Sequence, residues 1–160
     1  MKKFLTALLI SLSSVSAFAA TDALGKPVFD FTFFGNTAGR FTMVSCDYAT
    51  DLARDWMTKF GARDLDLQCT GGIQPYGTIT PLNLRVAYTP TNVTAPNPTH
   101  QETITIESGG FPGESNCDFD TMLMRAMLRD FANVRMNHQS DACFDPQSRY
   151  RYDLTVTIGQ

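Results

Sequence analysis

Cys46-Asp47-Tyr48-Ala49-Thr50-Asp51-Leu52-Ala53-Arg54 returns 71 residues later as Cys117-Asp118-Phe119-Asp120-Thr121-Met122-Leu123-Met124-Arg125. Extended without a gap to Phe60 and Phe131, the two stretches agree at six of fifteen positions, and Tyr48/Phe119 and Met57/Leu128 are conservative matches. Each copy sets a cysteine at the entrance of a helix and a second one, Cys69 or Cys143, past the strand that follows it. The chain therefore reads as an internal duplication, with related halves at 28–89 and 101–158.

Working outward from the motif, Ala49, Leu52, Ala53, Trp56 and Phe60 recur at helical spacing, while Asp51, Arg54, Asp55 and Lys59 take the other side. Asp47 is the expected N-cap and Gly61 the left-handed stop. In the second copy Phe119, Met122, Leu123, Ala126 and Met127 form the apolar side. Before the first helix, 28–34 and 40–46 read as a hairpin across a five-residue loop, and 20–27 as a loose lead-in. Alternation marks further strands at 64–68, 82–88, 102–107, 134–138 and 149–158. The Pro- and Asn-rich stretch 89–99 is the connector between halves.

This order predicts an α+β fold: tandem β-α-β-β units, in the manner of ferredoxin-like half units, forming mixed, antiparallel-rich sheets covered by two helices. Crossover geometry brings the cysteines of each half to one sheet edge. The expected disulfides are thus Cys46 with Cys69 and Cys117 with Cys143, although Cys143 falls three residues late and implies a small insertion within 137–141.

Residues 1–19 carry Lys2 and Lys3, a short apolar run and an Ala17-Phe18-Ala19 cleavage pattern, which predicts a signal peptide cut after Ala19. The expected mature chain, 20–160, is a single compact domain in the periplasm or outside the cell. Without the two leader lysines it holds 13 − 2 = 11 basic against 16 acidic side chains, a net charge of 11 − 16 = −5. No run of Lys or Arg supplies a basic face, so nucleic acid is excluded as a partner. Four cysteines in an exported chain also suit an oxidising compartment.

Catalytic and metal chemistry finds little support. There is no Cys-x-x-Cys, Gly-x-Ser-x-Gly, phosphate-binding Gly-rich loop or His-Glu-x-x-His. His100 lies in the connector and His138 at a core-facing strand position. Met122 and Met127 read as packing, and Asp47, Asp51 and Asp55 as a solvated helix face. No cofactor and no metal site is expected. The functional expectation is a non-enzymatic binding domain for an envelope protein or cell-wall component. Its candidate contacts are Ile73 and Tyr76 in one loop (70–77) and Phe111 and Pro112 in another (108–116), projecting together. A small envelope hydrolase or thiol enzyme, and a subunit of an envelope complex pairing through the strand at 28–34, are the alternatives.

Overall fold

A computed structural model of the 160-residue chain describes residues 20–37, 40–73, 79–92, 99–107, 116–143 and 149–159. The expected leader, 1–19, lies outside them. The elements are β1 (Val28–Phe33), β2 (Asn36–Thr37), β3 (Arg40–Phe41), α1 (Cys46–Lys59), β4 (Arg63–Ile73), β5 (Ile79–Thr89), β6 (Thr99–Glu107), α2 (Cys117–Asp130), β7 (Val134–Ala142) and β8 (Arg149–Gly159). Two three-stranded sheets have the same order, β1-β5-β4 and β6-β8-β7. Each half is thus one β-α-β-β unit. The crossover strands β1 and β4 do run parallel, but β5 inserts between them, so every hydrogen-bonded ladder is antiparallel.

Both bridges form as the spacing predicts, Cys46–Cys69 and Cys117–Cys143, with alpha carbons 5.6 and 5.4 Å apart. In α1 the cap is Ser45, one residue before Cys46, and its hydroxyl accepts from the Tyr48 amide. Asp47 instead occupies the first turn, where its charge suits the helix dipole. Gly61 stops the helix as expected: at φ +84° it lets Ala62 and Gly61 return their amides to Met57 and Thr58.

The expected hairpin between 28–34 and 40–46 does not form. Phe29, Phe31 and Phe33 share a buried face with Leu82, Leu84 and Val86, and β1 pairs with β5 over its full length. Only β2 and β3 make a hairpin, of two residues a side. The lead-in is ordered too, since the Asp22 carboxylate accepts from the amides of Leu24 and Lys26 and closes a tight turn. Thr70 to Ile73, read as loop, continue β4. There Gly71 (φ +83°) admits an irregularity beside Pro81, whose carbonyl a β-carbon would strike. Part of the late arrival of Cys143 is a bulge in β7 between Met136 and His138. That bulge helps turn His138 out to solvent rather than into the core.

One contiguous buried cluster draws on both halves. Positions matched by the duplication touch each other at both ends of the helices: Tyr48 with Phe119 (6.1 Å between ring centroids) and Phe60 with Phe131 (5.4 Å). The two helices therefore run side by side in the same direction, with an approximate two-fold axis between them. Each also reaches the sheet of the other half. Phe119 packs edge-on against Phe31 and Phe33, and Trp56 against Tyr150. Asn133 closes the C-terminal end by donating to the carbonyls of Phe60 and Thr157. Helix α2 is consequently covered on more of its circumference than the sequence stripe implies. Met124 is fully buried, and Met122, expected to pack, stands 37% exposed.

Candidate functional site

At the end of the molecule that holds both helix N-termini, apolar side chains face solvent. Thr42 donates its amide to the Gly35 carbonyl, which brings the chain leading from β3 back beside the segment that follows β1 and holds Phe34 and Met43 in the same region. Phe34 is 72% and Met43 56% exposed. Beside them Ile73 and Ile79 close the β4–β5 ladder as a cross-strand pair, both about 40% exposed. The Ile73 amide donates to the Val44 carbonyl, so the two pairs form one rim. Beneath it the Cys46–Cys69 bridge ties α1 to β4.

Of the expected contact residues, Ile73 belongs to this rim. Tyr76, Phe111 and Pro112 lie outside the described residues. Phe34, Met43 and Ile79 were not foreseen. The signal for Phe34 was the double aromatic Phe33-Phe34, since only one of two adjacent strand residues can face the core.

Two open clefts flank β1. One, of about 370 Å³, lies on the polar outer face of the first sheet among Thr32, Gln68, Asn83 and Arg85. The other, about 490 Å³, runs between β1 and α2, lined by Asp30, Thr32, Met122, Arg125, Ala126 and Arg129.

A third feature is buried. Asp120, 4% exposed, receives the Tyr48 hydroxyl on both carboxylate oxygens at 2.9 Å and a further hydrogen bond from Tyr150. Burial pushes its carboxyl up to about 7, against the pull of the two tyrosines. The Tyr150 phenol is raised as well, first by burial and then by the charge of Asp120. The aligned residue in the first half is Ala49, so this carboxyl breaks the internal symmetry. Asp120 lines neither of these clefts.

Among the described residues no cysteine is free, and no three His, Cys, Asp or Glu side chains gather as a metal site requires. The expected helix carboxylates are engaged at the surface, Asp51 with Arg54 and Asp55 with Lys59. Glu102 meets His100, and Glu107 meets Arg151. No helix among the described residues is long and apolar enough to cross a membrane. The fold and its surface define an α+β domain of tandem β-α-β-β units with a bridge in each. No family model, curated protein or solved structure matches the chain.

Proposed function

We propose that this is an exported, disulfide-stabilised envelope domain that works by binding an envelope protein or cell-wall component, without catalysis. The rim of Phe34, Met43, Ile73 and Ile79 carries the reading. Clustered exposed apolar side chains on a rigid base are uncommon on a surface that serves no partner. The base here is rigid for a stated reason, the bridge between α1 and β4. With all four cysteines bridged, thiol chemistry has no nucleophile. The two disulfides suit a periplasmic or extracellular setting.

Affinity capture from an envelope extract tests this, comparing the native protein with Phe34→Asp/Ile79→Asp. A discrete partner retained by the native protein and lost with the variant is the expected result. Equal recovery on both, or no partner on either, contradicts it.

A further inference from the structure

The groove between β1 and α2 has a backbone wall as well as side chains. β1 is an outer strand of its sheet. In its antiparallel register the Tyr88 amide bonds the Pro27 carbonyl, so residues 27, 29, 31 and 33 turn their backbone groups toward β5. Residues 28, 30 and 32 turn theirs outward. Val28 is met there by the carbonyl of Ala20, which closes the lower part of the edge. Asp30 and Thr32 follow it along the mouth of the groove, and both flanking clefts converge on them.

Asp30 turns its carboxylate to Arg85, 3.4 Å away on the sheet. Across the groove, α2 presents Arg125 and Arg129 one turn apart, with Met122 and Ala126 between and beside them. Asp130, the acidic neighbour of Arg129, feels the charge of that guanidinium and also helps to raise the Tyr88 phenol. A chain of formal net charge −3 sets Arg125 and Arg129 beside a strand edge that no other described strand covers.

We propose that this groove takes an extended acidic peptide segment of a partner protein. It would add a strand to β1 through the backbone of Asp30 and Thr32. Alternate side chains of the segment then fall over α2, where carboxylates meet Arg125 and Arg129 and apolar groups meet Met122 and Ala126. This rests on the binding reading above and names the chemistry of the partner.

Panning a display library of short random peptides against the purified, disulfide-intact protein tests it. Selected peptides are then titrated into ¹⁵N-labelled protein. The expected result is enrichment in Asp and Glu, with shifts at the amides of 30, 32 and 122–129. Arg125→Glu/Arg129→Glu weakens binding at least about tenfold. Thr32→Pro also weakens it, because an edge strand tolerates proline where the amide faces solvent but loses that donor. Circular dichroism checks the fold of both, and the charge reversal decides alone if the proline variant unfolds. Peptides without acidic bias, binding untouched by the charge reversal, or no enrichment would overturn the proposal. So would self-association of the protein that Thr32→Pro abolishes, since a second copy would then hold the edge. Peptides that instead shift only 34, 43, 73 and 79 would sink the groove and leave the binding domain standing.

Discussion

Burial of the Asp120 carboxyl between Tyr48 and Tyr150 makes the folded protein hold a proton that the unfolded chain releases far below neutrality. With the folded value at about 7 and the ordinary one at 3.8, the contribution to stability is complete below the ordinary value. It is lost as pH rises through about 7, by on the order of 4 kcal/mol in total. Asp130, raised chiefly by burial, pulls in the same direction, whereas the lowered Asp153 acts at more acid pH. Urea midpoints of the native protein should therefore fall between about pH 5 and about pH 8, and those of Asp120→Asn should fall much less. A native midpoint that rises over this range would contradict the buried, protonated carboxyl. The position was visible in the sequence, one residue after Phe119 and three before Leu123, on the flank of the apolar stripe. Its two hydroxyl partners were not, because Tyr48 and Tyr150 come from elements 72 and 30 residues away.

At the scale of elements, local patterns carried far. The strong alternation of β5 and β8, the helical periods and the cysteine spacing all depend on near neighbours, and each appears where the sequence implies it. What failed was pairing at a distance. Residues 28–34 and 40–46 are close in the chain, which favours a hairpin on loop-closure grounds. Yet Phe31 finds its partner at Leu84, beyond an entire helix and strand, because only there is a matching apolar face offered. The bridges are the elements' strongest ties. They close loops of 23 and 26 residues, so removing either pair (Cys46→Ala/Cys69→Ala or Cys117→Ala/Cys143→Ala) should cost about 3 kcal/mol. Urea unfolding at fixed pH measures it, and a loss below about 1 kcal/mol for both would show that the bridges merely decorate a fold already fixed by its core.

For the whole molecule, the duplication gives two units that cannot bury their helices separately. Trp56 of the first half packs on Tyr150 of the second, and Phe119 of the second on Phe31 and Phe33 of the first. The sole tryptophan therefore reports on both halves at once. Its fluorescence and the far-ultraviolet dichroism should trace a single, coincident unfolding transition. Separate midpoints would mean that the halves come apart in turn. The proposed recognition surface was only partly legible: Ile73 was named from composition. The rim around it depends on an unforeseen step, the return of 42–44 alongside β4.

A photo-reactive residue at position 34, compared with one at Thr58 near the opposite, C-terminal end of α1, tests the account most directly in cells that make the protein. A discrete crosslinked partner from position 34 and none from position 58 is the predicted result. No adduct at 34, or the same adducts from both positions, would contradict the claim that the rim is where this protein meets its partner.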